Sequence, residues 1–489
     1  MKKGSILLCG LMVGLATTLW AQHDEQHYVP DSDPLVRQKL QKWQDLKFGL
    51  LMHWGAYSQW GIVESWSICS EDEGWCRRNL DDYTAYKAKY EALKTTFNPT
   101  QFDPGKWARA ARKAGMKYVV FTTKHHDGFC MFDSKLTDYK VTDPGCPFHR
   151  HARANIAKEV FDAFRAEGLW TGAYFSKPDW HCPYYWWPNF ATPDRNVNYD
   201  PDAYPKRWEK FIDFTHGQIL ELMSDYGPMD ILWLDGGWVA KKSPEQIRQA
   251  YESRLNDSPS GFVKARVVNQ DIRMGELVAK ARAKQPGLIV VDRAVPGPYQ
   301  NYLTPENRVP DKTLPFPWES CIIAGGGWSW VHNARYNSPT QVIGTLVDIV
   351  SKGGNLLLNI APDPNGLWDP GAYELLEQVG DWIEVNGEAI YATQPIEPYK
   401  EGRVCLTRKK DGTLYAIYLA EEGQTRPPAE IGLSTLQPSD KATVVMLGTG
   451  TELAWKKAGE GFRVTIPAAV RDNPPCRHAW VFRVSSLSK

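Results

Sequence analysis

The sequence predicts an α/β fold: a (β/α)8-like barrel over residues 30–395, followed by an all-β sandwich domain over 396–489. Three observations carry this expectation. From about Leu46 to Thr393, short apolar runs alternate with amphipathic helical segments. The runs are apolar at consecutive positions, as parallel strands covered on both faces are. After a last helix the texture changes to short strands separated by turns. Eight apolar runs favour closure into a barrel. Closure rests on that count alone, and an open doubly wound sheet is the alternative.

The N-terminus reads Met1-Lys2-Lys3, an apolar run from Ile6 to Trp20, then Ala21-Gln22. This is the pattern of a signal peptide over residues 1–21, cleaved near Ala21, and it predicts an exported protein, periplasmic or secreted. The run is too short and too early to span a bilayer. Cys9 would suggest a lipoprotein, but Leu8 is large where such signals want a small residue. The barrel strands are expected at Phe48–Met52, Tyr118–Thr122, Thr171–Phe175, Ile231–Leu234, Val267–Asn269, Leu288–Val291, Trp318–Ile322 and Asn355–Ile360. Helices open at Asp103-Pro104, near Ile156, at Pro205, at Ser338-Pro339 and at Asp369-Pro370. Gly115, Gly168, Gly227, Gly353 and Gly387 stand at their ends, the usual punctuation. In the second domain, strands are expected at Arg403–Thr407, Leu414–Leu419, Ala442–Leu447, Phe462–Ile466 and Ala479–Val484.

Lys plus Arg equals Asp plus Glu at 57 each, so no basic stripe offers itself to nucleic acid, and that class drops out. No long apolar segment follows Ala21, so the mature protein is not expected to span a membrane. Eight cysteines remain after cleavage, without CxxC spacing, and their pairing is not legible. The 21 tryptophans supply faces that stack on sugar rings, although tryptophan is more often a core residue.

Polar residues follow the apolar strands, where a parallel barrel builds its active site. His53-Trp54-Gly55 follows the first strand, Lys124-His125-His126-Asp127-Gly128 the second, and Tyr174 and Ser176 end the third. Asp235-Gly236-Gly237-Trp238 comes after Ile231–Leu234, and Asp292-Arg293 after Leu288–Val291. Glycoside cleavage needs two carboxyl groups flanking the bond. Asp235 is the first candidate; its bland alternative is a turn-forming Asp before two glycines. The second carboxyl is Glu306, on a loop rich in Pro, Asn and Tyr, or Glu319, on a strand. The bland alternative for Glu319 is a partner for Arg293 or a buried donor. His125-His126 invites a metal, but no HxH, HxxxH or HExxH spacing supports one. His53, His125 and His126 read better as hydrogen-bonding groups for sugar hydroxyls, so no metal and no cofactor is expected.

His53-Trp54-Gly55, Glu64-Ser65-Trp66, His125-His126-Asp127-Gly128 and Trp233-Leu234-Asp235-Gly236 together resemble glycoside hydrolase family 29, the α-L-fucosidases. Asp292-Arg293, Trp318-Glu319-Ser320-Cys321, Gly354 to Ile360 and Asn386 to Tyr391 extend the likeness in the same order. The resemblance implies a catalytic barrel and a β-sandwich, and release of terminal α-L-fucose from fucosylated glycans with retention. It implies Asp235 as nucleophile, and His53, His125, His126, Tyr174, Trp233 and Arg293 as fucose-binding residues. Glu64 and Trp66 match with Ser65 intervening, where the family often has the two adjacent. Trp328 lies in Gly327-Trp328-Ser329-Trp330, which departs from the family's Ser-Trp-Gly-Tyr segment. The likeness does not fix the choice between Glu306 and Glu319; it favours Glu306 narrowly, because in the family it resembles the acid often comes from the loop after the Asp-Arg strand. Two other classes stand beside this reading: a metal-dependent hydrolase using His53, His125 and His126, and a silent fucose-binding protein.

Overall fold

Seven of the eight expected barrel strands form: β1 (Phe48–Met52), β2 (Tyr118–Lys124), β3 (Trp170–Ser176), β4 (Ile231–Asp235), β5 (Ile289–Asp292), β6 (Glu319–Ile323) and β7 (Asn355–Asn359). The computed structural model describes residues 28–69, 76, 78, 82–257 and 266–488; the signal-peptide reading of residues 1–21 lies outside them. The strands pair in parallel in the order β5-β4-β3-β2-β1-β7-β6, giving a curled sheet. Every residue of β1, β2, β5 and β7 is buried, which is why these strands read as continuous apolar runs. Alternation along each strand separates two cores. Leu51, Val120, Tyr174, Trp233, Val291 and Leu357 fill the inside of the curl. Leu50, Met52, Val119, Phe121, Leu232 and Val290 face the surrounding helices.

The strand expected at Val267–Asn269 does not form. Its two valines are only half-buried, and the segment is held by side chains instead of a ladder. The Gln270 amide donates to Asn196 and to the Trp238 carbonyl, while its oxygen accepts from Tyr185 and from the Val197 amide. The place of an eighth strand, between β5 and β6, is taken by the irregular segment 299–307. On one side the Asn301 amide donates to the Val290 carbonyl at 2.9 Å and the Asp292 amide to Tyr299 at 2.9 Å. On the other, Glu319 N–H reaches the Leu303 carbonyl at 2.8 Å and Cys321 N–H the Pro305 carbonyl at 3.1 Å. One short stretch thus closes the ring, and it carries Glu306.

The helices start where their caps predict. Asp103 accepts from the amides of Gly105 and Lys106, with Pro104 in the first turn. Ser338 and Gln341 form a reciprocal capping box before helix Pro339–Ser351. Gly353 beyond that helix has φ +88°, a conformation in which a side chain is strained.

The C-terminal region is two antiparallel sheets around a common core. One has five strands: β8 (Gln394–Glu401), β9 (Val404–Arg408), β10 (Leu414–Leu419), β12 (Val444–Met446) and β15 (Ala479–Val484). The other has β11 (Glu430–Leu433), β13 (Trp455–Ala458) and β14 (Gly461–Thr465). Ala479, Val481 and Ile417 join the barrel's helical core, and the Trp382 indole donates to the Ala479 carbonyl at 2.9 Å. The eight described cysteines are free thiols. No helix among the described residues is long and apolar enough to cross a membrane.

Candidate active site

A cavity of about 910 Å³ opens at the C-terminal ends of the strands. Eleven of the twelve residues singled out in the sequence line it: His53, Glu64, Trp66, His125, His126, Tyr174, Trp233, Asp235, Arg293, Glu306 and Trp328. Asp235 ends β4, where burial of Ile231 to Leu234 against both cores fixes the strand and delivers the carboxylate to the rim. Both of its oxygens are held. Oδ2 accepts from the Tyr174 hydroxyl at 2.6 Å, and Oδ1 accepts from Gly236 N–H at 2.8 Å and from Arg293 Nη1 at 3.2 Å. Burial alone would push this carboxyl up, but the Arg293 guanidinium, His126 and these donors hold it well below the usual carboxylate range. Its side chain remains 16% exposed, so the carboxylate is reachable from the cavity.

Arg293 also carries Glu306. Its second terminal nitrogen pairs with Glu306 Oε2, and the Trp328 indole donates to Oε1 at 3.2 Å. One guanidinium therefore spans two carboxylates, one ending a strand and the other on the ring-closing segment. Glu64 is buried in the cavity wall and accepts from Ser329 N–H at 3.0 Å. Burial, helped by the charges of Glu306 and Asp235, pushes its carboxyl up to about 8, so it is protonated at neutral pH.

The three histidines are neutral. Burial lowers His53 to about 4 and His126 to about 3, and lowers His125 well below its ordinary value. The Asn359 amide group donates to the carbonyls of Gly327 and Trp328, so its oxygen accepts from His53 Nδ1–H at 3.0 Å. That assignment leaves His53 Nε2 as an acceptor. His125 Nδ1 shares a 2.5 Å hydrogen bond with Ser65, the residue that intervenes between Glu64 and Trp66. His126 Nδ1 is buried without a hydrogen-bond partner among the described residues, and its Nε2 lies 3.9 Å from Asp235 Oδ2. His125, His126 and Asp235 offer ligand atoms within 4.8 Å of one another, the one such group among the described residues. Asp235 already bears a guanidinium, which opposes a second cation at the same carboxylate.

Glu319 stands apart from the cavity. It begins β6, two residues below the cavity-lining Cys321, is fully buried, and accepts from the Tyr118 hydroxyl. Burial pushes its carboxyl up to about 7. Arg293 does not pair with it. Residues that sequence reasoning did not single out also shape the cavity. Arg195 and Asn196 reach it from the long segment after β3, and the Arg195 guanidinium lies 4.7 Å from the Trp66 ring and 5.4 Å from Trp238. No motif marks that segment; Trp238, two residues past Gly236, was the available signal.

A family model described as "Alpha-L-fucosidase" matches residues 15–388, and one described as "Alpha-L-fucosidase C-terminal domain" matches 399–485. An α-L-fucosidase of Branchiostoma floridae is 30% identical over 484 residues, covering 95% of this chain and 97% of its own. Among solved structures, α-L-fucosidase isoenzyme 1 from Paenibacillus thiaminolyticus matches with a TM-score of 0.71 at 30% identity, covering 93% of this chain and 100% of that one. An α-fucosidase from Thermotoga maritima in complex with fucose matches with a TM-score of 0.68 at 27% identity, covering 93% and 99%. The two matched segments, in the order barrel then sandwich, place this chain in the α-L-fucosidase family.

Proposed function

We propose that this protein is an exported, retaining exo-α-L-fucosidase that releases terminal fucose from fucosylated glycans, with Asp235 as nucleophile and Glu306 as acid/base. The observation that carries the assignment is the single Arg293 guanidinium bridging Asp235 and Glu306. A retaining mechanism wants its two carboxyl groups about 5–5.5 Å apart, the order of separation one guanidinium spans. In the first step Glu306 gives its proton to the departing glycosidic oxygen while an Asp235 oxygen bonds to the anomeric carbon. In the second, Glu306 takes a proton from water, the water oxygen bonds to that carbon, and Asp235 leaves. The neutral imidazoles of His53, His125 and His126 and the protonated Glu64 offer donors and acceptors to the sugar hydroxyls without adding charge. Tyr174, Trp233, Trp66 and Trp328 supply apolar faces for the ring. The cavity lies at the upper end of the range for small-molecule sites, about 300–1,000 Å³, which favours a substrate extending beyond one sugar. The division into a catalytic unit to residue 395 and a sandwich from 396 is part of this proposal.

The test is a pair of variants on two substrates. Asp235→Ala should abolish turnover of every fucoside, including one with an activated aryl leaving group. Glu306→Ala should hurt poor leaving groups most, and azide should rescue it to give a fucosyl azide of retained configuration. If Glu319→Ala alone shows that leaving-group dependence, the acid assignment moves to Glu319.

A further inference from the structure

Behind the nucleophile, on the outer face of the sheet, Lys177 and Asp292 form an ion pair that is almost wholly buried, with side-chain exposures of 0% and 3%. Lys177 directly follows β3, and Asp292 ends β5, so the pair reaches across the end of β4 that lies between them. Each member is joined by backbone to a residue of the site. Lys177 N–H donates to the Asp235 carbonyl at 3.0 Å, and Asp292 precedes Arg293, whose N–H donates to the Leu234 carbonyl at 3.1 Å. The corner Asp235-Gly236-Gly237 is wedged between the same two segments. A Cβ on Gly236 would fall 2.3 Å from Pro178 Cδ, and one on Gly237 would fall 2.7 Å from the Arg293 carbonyl oxygen. Nothing bulkier fits, so a shift of either flank is passed to the corner.

We propose that Lys177 and Asp292 are positioning residues for the reaction, forming a clamp behind β4 that sets the Asp235 carboxylate against the Arg293 guanidinium. Neither touches the cavity side of the sheet, and both act through the backbone of their neighbours. Burying two charges is costly, and a well-packed apolar pair often serves stability as well or better. Stability alone therefore does not account for an ion pair at this place. Its directional contact does, because a charged hydrogen bond fixes the spacing of β3 and β5 more narrowly than apolar packing. The inference rests on the reading of Asp235 as nucleophile.

The test is the double variant Lys177→Met/Asp292→Leu, with Lys177→Arg as a second variant that keeps the charge and alters the reach. Tm, kcat and KM on an aryl fucoside, and inhibition by free fucose, are measured well below Tm. The expected result is a Tm near that of the parent, kcat lowered about tenfold or more, and KM and fucose inhibition changed by less than about threefold. A purely structural pair would leave kcat unmoved, whatever the replacement does to Tm. If the double variant fails to fold, Lys177→Arg decides: parental kcat overturns the proposal, and a tenfold loss at parental Tm supports it. Full activity in these variants beside an inactive Asp235→Ala defeats only the positioning role. Activity in Asp235→Ala defeats the nucleophile assignment itself.

Discussion

Replacing Arg293 by Met removes the one cation that, among the described residues, touches both carboxylates, while keeping much of the side-chain volume. At the observed Nη1–Oδ1 distance of 3.2 Å, the direct attraction to Asp235 is roughly 5 kcal/mol for an effective dielectric constant of about 20. Part of this returns in the variant, because Tyr174 and Gly236 still donate to the carboxylate and water enters the space. A residual loss of about 3 kcal/mol corresponds to roughly a hundredfold fall in kcat/KM. The pH profile carries the sharper signature. In the parent, Asp235 is held well below its ordinary value of 3.8 and stays ionised throughout the assay range. Activity that needs this carboxylate falls only when pH drops through its low folded value. Without Arg293 the effect of burial is no longer offset and pushes the carboxyl up, so an acid limb should move into the assay range. The same sign governs stability: the depressed carboxyl contributes stability that is present above 3.8 and lost as pH falls through the folded value, and the variant lacks it. Kinetics on an aryl fucoside from pH 4 to 8 decide the matter, and a variant within a few-fold of the parent with an unchanged acid limb would refute the reasoning.

Glu319 is held protonated up to about pH 7 in the folded chain, against an ordinary value of 4.5. It should therefore make stability decline between those values as pH rises, by on the order of 3 kcal/mol. Glu319→Gln should flatten that decline in denaturant titrations; Asp127 and Glu64 have raised values too, so the difference between variant and parent is the quantity to measure. Dialysis against a strong chelator should leave turnover unchanged, whereas loss restored by zinc would assign His125, His126 and Asp235 to a metal. Gly236→Ala, at φ +85° and with its Cβ 2.3 Å from Pro178, should lower stability by about 1–3 kcal/mol and reduce kcat; an unaltered Tm would contradict the packing described here.

The parts of the fold that sequence displayed best are those where one physical demand dominates. β1, β2 and β4 are buried on both faces, so their apolar runs admit one reading. Helix starts at Asp103-Pro104 and Ser338-Pro339 announce their own caps. β8 was missed because it is an edge strand with two prolines and mostly exposed or half-exposed residues, and β13 because Trp455-Lys456-Lys457-Ala458 buries too little to alternate. Val267–Asn269 has strand composition but is governed by Gln270 and its side-chain partners. Within the site, strand-end residues were legible because the ends of parallel strands converge. Depth was not legible, and Glu319 is the example: parity puts it on the same face as Cys321, but two residues lower, beneath the cavity floor. The sequence shows Ser65 only as an intervening residue and Asn359 only as part of a matching segment, because they orient His125 and His53 and do not line the cavity themselves.

The ring-closing segment has a consequence for how this catalyst can change over time. Six strand ends and Asp235 belong to a sheet whose register is locked by its neighbours, so a residue inserted there would displace several at once. Segment 299–307 makes only a few isolated bridges to β5 and β6, and it is followed by an irregular stretch before Glu319. It can lengthen, shorten or bulge without moving Asp235. Glu306, the proposed proton donor, therefore travels on the most editable part of the ring, while the proposed sugar-binding residues at the strand ends stay fixed. Divergence in leaving-group preference among such proteins should accumulate in this segment and leave the strand-end residues in place.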